Sequence, residues 1–102
     1  MWRTEQQQCE TIRALLCAVR LERLWASQSP NDEALAYLEA GGGPLSHGEA
    51  IMLRVAFDLW NGRGKATVDD LVSVLDERNL CAVLRAILTA RPDVRLNLSD
   101  RE

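Results

Sequence analysis

Few residues of this chain belong to the types that catalysis requires. His47 is the only histidine, and it lies in the first turn of a predicted helix, where the helix dipole disfavours a charged imidazolium. The sequence around it contains no nucleophile elbow. Cys9, Cys17 and Cys81 lack C-x-x-C spacing, which does not favour a zinc site. We therefore predict that the chain is not an enzyme and has no catalytic residue, cofactor or metal.

A glycine-rich stretch before a predicted helix is the next candidate for chemistry. Residues 62–65 read Gly-Arg-Gly-Lys, but they lack the G-x-x-x-x-G-K-[ST] spacing of a phosphate-binding loop. We interpret them as a turn with two solvated cations. The longer segment 57–71 faintly resembles a calcium-binding helix–loop–helix. Leu59 and Arg63, however, occupy positions where calcium needs oxygen ligands, so we predict no calcium site.

The composition predicts one domain with a largely aliphatic core. Of the 102 residues, 47% are hydrophobic and 26% are charged, as in ordinary globular proteins. The net charge of -3 argues against a protein whose main role is to coat nucleic acid. The sequence shows no apolar leader and no run long enough for a bilayer crossing. We therefore predict a cytoplasmic protein with reduced thiols and no membrane association.

The apolar residues recur with the period of a helix, which predicts an all-α fold. We expect a compact bundle of four to five helices with short loops and an extended C-terminal tail. Residues 1–8 are expected to be frayed, residues 9–91 to form the helical domain, and residues 92–102 to form an extended or disordered tail.

Four polar residues are predicted to start helices. Ser46 and Thr67 each precede an acidic residue by three positions, which is the pattern of a capping box. Ser29 precedes Pro30, which suits the first helical position, and Asn79 is a candidate cap for the last helix. The apolar residues of the last two helices are expected to face inward: Val68, Leu71, Val72, Leu75, Leu80, Val83, Leu84, Ile87 and Leu88.

The helix predicted from Cys9 to Trp25 is apolar on two sides. One side forms an ordinary core stripe, whereas Leu21, Leu24 and Trp25 form a second group near its end. Such a helix must be covered twice, and the second cover could be the C-terminal tail or another chain. Trp25 is the best candidate for an interface anchor because tryptophan is enriched at binding hot spots. Burial within its own domain is the alternative.

The C-terminal tail changes from a helical to a two-residue period. Val94, Leu96 and Leu98 alternate with polar residues, which is typical of a strand. A single strand has no partner in a helical domain. It could lie across the helices, pair with a copy of itself or with another protein's sheet edge, or remain disordered.

Surplus apolar surface and missing catalytic groups together indicate a small protein–protein interaction or regulatory module. Its partner would be another protein or itself, so it could form a homodimer. The predicted interface residues are Leu21, Leu24, Trp25, Val94, Leu96 and Leu98.

The alternative is a nucleic-acid-binding transcriptional regulator that uses a helix-turn-helix-like pair at residues 67–90. It would use the cations Arg63, Lys65, Arg78 and Arg85. The apolar start of its second helix counts against it, because a recognition helix places polar residues there.

Overall fold

The computed structural model describes residues 2–94, and over this range the chain is all-helical, as predicted. No β-strand occurs within residues 2–94, where the only strand-like feature is an antiparallel bridge between Trp25 and Pro30. The helices are α1 (Glu5–Cys17), a 3₁₀ helix (Glu22–Leu24), α2 (Asp32–Glu39), α3 (His47–Asn61), α4 (Val68–Val74) and α5 (Glu77–Ala90). Most of the predicted tail lies outside the described residues. Its first part, residues 92–94, forms a turn in which the Val94 N–H bonds the Arg91 carbonyl at 3.0 Å.

Helix α1 begins within the segment for which fraying was predicted. Thr4 is its N-cap, and the Thr4 hydroxyl accepts the Gln7 N–H at 3.0 Å. The Gln8 side chain donates to the carbonyls of Leu59 and Trp60 at 2.8 and 3.2 Å. These bonds attach the start of α1 to the end of α3, so residues 4–8 belong to the folded domain.

The first helix ends at Cys17, eight residues earlier than the sequence pattern predicted. Arg20 adopts a left-handed conformation with φ of 60°. The Leu21 N–H bonds the Leu16 carbonyl at 2.9 Å, and the Arg20 N–H bonds the Cys17 carbonyl at 3.0 Å. This pair of hydrogen bonds is a Schellman motif, which satisfies the last carbonyls of the helix and turns the chain away.

The next segment folds back onto the core before α2 starts. Asn31, rather than Ser29, is the N-cap of α2, and its side-chain oxygen accepts the Ala34 N–H at 2.9 Å. The Asn31 side chain also donates to the Arg23 carbonyl at 2.8 Å. Pro30 is buried beside Trp25, so the predicted start of this helix was wrong by two residues.

Helix α3 is the central element and contacts α1, α2, α4 and α5. Its predicted capping box is confirmed, because the Ser46 hydroxyl accepts the Glu49 N–H and the Glu49 carboxylate accepts the Ser46 N–H. The helix is capped after Asn61 by Gly62, whose φ of 76° is left-handed and suits glycine. Its buried residues are Ala50, Ile51, Met52, Leu53, Val55, Ala56 and Phe57.

The starts of α4 and α5 were predicted with different success. The capping box of Thr67 and Asp70 at the start of α4 is confirmed. Helix α5 begins at Glu77, because Asp76 and not Asn79 is its N-cap. The Asp76 carboxylate accepts the Asn79 N–H at 2.8 Å.

Removing the Ser46 cap should destabilise α3 measurably. Ser46→Ala deletes an acceptor for an otherwise unpaired N–H, and such changes cost about 1 kcal/mol. Urea unfolding followed by circular dichroism would measure the loss, with Ser27→Ala in an exposed loop as the matched control. Equal stability of the two variants would show that the Ser46 cap contributes nothing.

Candidate functional surface

The residues that could have served catalysis or metal binding are dispersed over the structure. His47 is exposed at the first position of α3, and Cys17 and Cys81 are exposed on α1 and α5. Cys9 is buried and donates to the Ala26 carbonyl at 3.4 Å. Burial raises the pKa of the Cys9 thiol, which keeps it in the unreactive protonated form. Within residues 2–94, no group of three His, Cys, Asp or Glu side chains could hold a metal ion.

The structure corrects half of the predicted interface. Leu21, Leu24 and Trp25 are 4%, 0% and 1% exposed, so none of them is accessible on the surface of the chain. The early end of α1 is the reason, because the turn after it directs all three side chains into the core. Val94 is exposed. Leu96 and Leu98 lie outside the described residues.

Trp25 instead joins an aromatic cluster with Phe57 of the core and the partly buried Trp60. Its ring centroid lies 5.4 Å from that of Phe57 and 5.7 Å from that of Trp60, both in edge-to-face geometry. Phe57 and Trp60 also meet edge to face at 6.1 Å. Aromatic pairs favour these arrangements. The cluster connects the loop after α1 to the last two turns of α3.

Helix α5 carries a row of apolar residues that the core, against which Leu80 packs, covers only in part. Leu84 and Ile87 are 41% and 42% exposed, and Leu80 and Leu88 are partly buried. These four residues, the α5 outer stripe, follow the spacing i, i+4, i+7, i+8 and therefore share one side of the helix. The inward prediction was wrong for Leu84 and Ile87.

A different side of α5 faces the core. Val83, Ala86 and Ala90 are its buried residues, and Leu84 is rotated from Val83 by about 100° around the helix axis. Ala82 and Ala86 lie toward α1 and line a cleft between the two helices. The apolar residues of α5 therefore span a wider arc than the core can bury, and the outer stripe is the part of that arc that is not fully buried.

Helix α4 also exposes apolar residues. Val68 and Val72 are 76% and 70% exposed, which corrects the prediction that they face inward. They lie one turn apart, and the partly buried Leu71 lies beside them on the helix. Two small side chains form a limited patch, and isolated surface valines are common in soluble proteins.

The charged side of α5 borders a cleft of about 560 Å³ between α1 and α5. Arg78 and Arg85 line it together with Glu10 of α1, so two of the four cations proposed for nucleic-acid binding share a cleft with an acidic residue. Arg63 and Lys65 are exposed in the loop before α4. The first residue of α5 is the acidic Glu77. Nucleic-acid binding stays a prediction.

Asp58 has a role that the sequence pattern did not reveal. Its spacing of four residues from Arg54 would suit an ion pair on the solvent side of α3. Its carboxylate instead accepts the backbone N–H groups of Gly64, Lys65 and Ala66 at 2.7, 2.9 and 3.0 Å. Consecutive N–H groups of this kind form an anion-binding concavity. Asp58 fills it, which explains why this glycine-rich loop is a structural turn.

The part of the chain that the structure describes contains no helix with the length and apolar character needed to span a membrane. No protein-family model matches the chain, and comparisons with curated proteins and with solved structures give no match either.

Proposed function

We propose that this chain is a small helical protein-interaction module without catalytic activity, and that it binds a helix of another polypeptide on the α5 outer stripe. The observation that supports the proposal is the exposure of Leu84 and Ile87 on a helix whose other side is already packed in the core. We therefore place the proposed contact surface on α5 and not on the segment after α1 that the sequence suggested.

The spacing of the outer stripe fits helix recognition. Amphipathic helices bind partners through anchors at i, i+3, i+4 and i+7, and the stripe follows the related pattern i, i+4, i+7, i+8. Covering apolar side chains contributes roughly 25 cal/mol for each Å² removed from water. The stripe places four such side chains in one row, whereas single exposed apolar residues elsewhere need no explanation.

Cysteine labelling in the cells that make this chain would test the proposal without knowledge of the partner. The parent variant carries Cys17→Ser and Cys81→Ala, which removes the exposed thiols, keeps α5 apolar at position 81 and keeps the buried Cys9. Ile87→Cys in this parent should be protected from a membrane-permeable maleimide, because the partner covers the stripe. Protection should disappear after denaturation.

Leu35→Cys in the same parent is the matched control. Leu35 is 39% exposed on α2, close to the exposure of Ile87 but on a different helix, so its thiol should be labelled in cells. Labelling of positions 87 and 35 to the same extent would mean that the stripe faces solvent, and the proposal would then fail.

A further inference from the structure

We infer that the partner on the α5 outer stripe is a second copy of this chain, with the two α5 helices antiparallel about a two-fold axis at Leu84. The inference rests on the proposed function and names the occupant of the same surface. Closed dimers bury one patch against itself, so the patch must be self-complementary under the two-fold rotation. The arrangement of residues along α5 meets this requirement.

The apolar residues match one another in this register. A two-fold axis at Leu84 places Leu84 opposite its own counterpart. Leu80 and Leu88 lie four residues to either side, so each faces the other across the axis. Cys81 and Ile87 lie three residues to either side and pair in the same way. Every position in the middle of the contact therefore meets an apolar side chain or a thiol, which behaves as a small hydrophobe.

Charge complementarity at the two ends supports the same register. Glu77 and Arg91 lie seven residues, or about two turns, on either side of Leu84. Both are exposed. The antiparallel arrangement brings Glu77 of each copy to Arg91 of the other, which gives two opposite-charge contacts. A parallel arrangement would instead place like charges together at both ends, which is unfavourable.

Arg91 can make this contact while it keeps its partner in the monomer. Its Nε and Nη2 donate to the two oxygens of Asp93 at 2.8 and 2.6 Å. A guanidinium has five N–H donors, so Nη1 is outside this pair and can donate to a second carboxylate. The Arg91–Asp93 pair fixes the guanidinium just beyond the last turn of α5.

An axis one turn earlier along α5 fits less well. A two-fold axis at Leu80 would place Leu84 opposite Asp76, which is the charged N-cap of α5. An apolar side chain would then meet a carboxylate that already caps the helix. The axis at Leu84 avoids this mismatch: the pairs three and four residues from it are apolar or a thiol, and the pair seven residues from it is acid with base.

Disulfide cross-linking would test the axis directly. A residue on the two-fold axis meets its own counterpart, which is the proximity that a disulfide requires. In the Cys17→Ser, Cys81→Ala parent, Leu84→Cys should form a covalent dimer under mild oxidation of the purified, concentrated protein. Leu35→Cys, with similar exposure on α2, should stay monomeric on a non-reducing gel.

A charge exchange would test the antiparallel direction. Glu77→Arg or Arg91→Glu alone creates like-charge contacts, and the dimer dissociation constant from sedimentation equilibrium should rise about three- to tenfold. The double variant should restore the original dissociation constant. Both new charges oppose the dipole of α5, so the stability of the monomer should not be restored. If Glu77 and Arg91 only stabilised the monomer, the double variant would not restore the dimer dissociation constant.

The outcomes separate this inference from the proposed function. Ile87→Cys could be protected in cells while the purified chain is monomeric at every concentration. That result would mean that the partner is a different protein, and it would overturn only the inference of a second copy. A dimer that forms without the Leu84→Cys cross-link, or without charge rescue, would overturn the antiparallel register. Labelling of Ile87→Cys in cells would remove the proposed function itself.

Discussion

Replacing Trp25 by alanine should lower the free energy of unfolding by about 3–5 kcal/mol, as truncation of a large buried aromatic residue typically does. Trp25 is 1% exposed and contacts Phe57 and Trp60 edge to face. Its removal would leave a cavity between the loop after α1 and helix α3. Domains of this size are stable by only about 5–15 kcal/mol, so this single change should remove a large part of the total.

The measurement is urea unfolding followed by far-ultraviolet circular dichroism, because the substitution itself alters tryptophan fluorescence. Trp2→Ala is a suitable control, since Trp2 is only partly buried near the N-terminus and its loss should cost much less. If Trp25→Ala left stability unchanged and abolished self-association instead, Trp25 would be an interface anchor and the core assignment would be wrong.

A second substitution at position 25 separates two effects on stability, the packing of the ring and the burial of its unpaired N–H donor. The Trp25 Nε1–H is buried and has no hydrogen-bond partner among the described residues, and an unsatisfied buried donor is itself unfavourable. Trp25→Phe removes this donor and keeps most of the ring. It should therefore cost much less stability than Trp25→Ala in the same unfolding experiment.

The parts of the fold that were predictable depend on chemistry within a few residues. The caps at Ser46 and Thr67 follow from a hydroxyl and a carboxylate three positions apart, and tertiary contacts do not alter them. The end of α1 had no such signal. Schellman motifs usually place glycine at the left-handed position, whereas here Arg20 occupies it, so the helical pattern was extended to Trp25 and its residues were assigned to a surface.

The candidate surface could not be predicted because it depends on how α5 packs. The sequence shows that α5 is apolar over a wide arc, but not which part of that arc faces the core. Val83, Ala86 and Ala90 are the buried positions, whereas Leu84 and Ile87, on the neighbouring part of the arc, are exposed. Only the packing partner decides between these sides.

Asp58 is a second residue whose contacts could not be predicted from sequence spacing, although its partners are near in the chain. The four-residue spacing from Arg54 predicts a surface pair on a helix. The carboxylate instead bonds N–H groups six to eight residues ahead, after the chain has turned at Gly62. The direction of that turn is set by tertiary packing, and Gly64 is the residue on which it depends.

Gly64→Ala should be among the most destabilising single substitutions in the chain. A Cβ at this position would overlap the Arg54 carbonyl oxygen and would lie 2.7 Å from the Arg54 carbonyl carbon and 2.9 Å from the Asp58 nitrogen. All three are backbone atoms of α3, which cannot move aside as a flexible side chain can. Overpacking usually costs about 1–3 kcal/mol, and we expect the upper end of that range or more.

Gly64→Ala should lose more stability than the steric overlap of its Cβ would cost by itself, because the loop must separate from α3 to relieve that overlap. The Gly64 N–H bonds the Asp58 carboxylate at 2.7 Å, and separation would strain this bond and the two that follow it, which are charge-assisted and therefore strong. Gly48→Ala is the matched control, since a Cβ there would meet no atom within 4 Å and alanine is the better helix former. Urea unfolding should show Gly48→Ala at or above the stability of the wild type and Gly64→Ala far below it. Equal stability of the two variants would mean that the loop does not pack against α3.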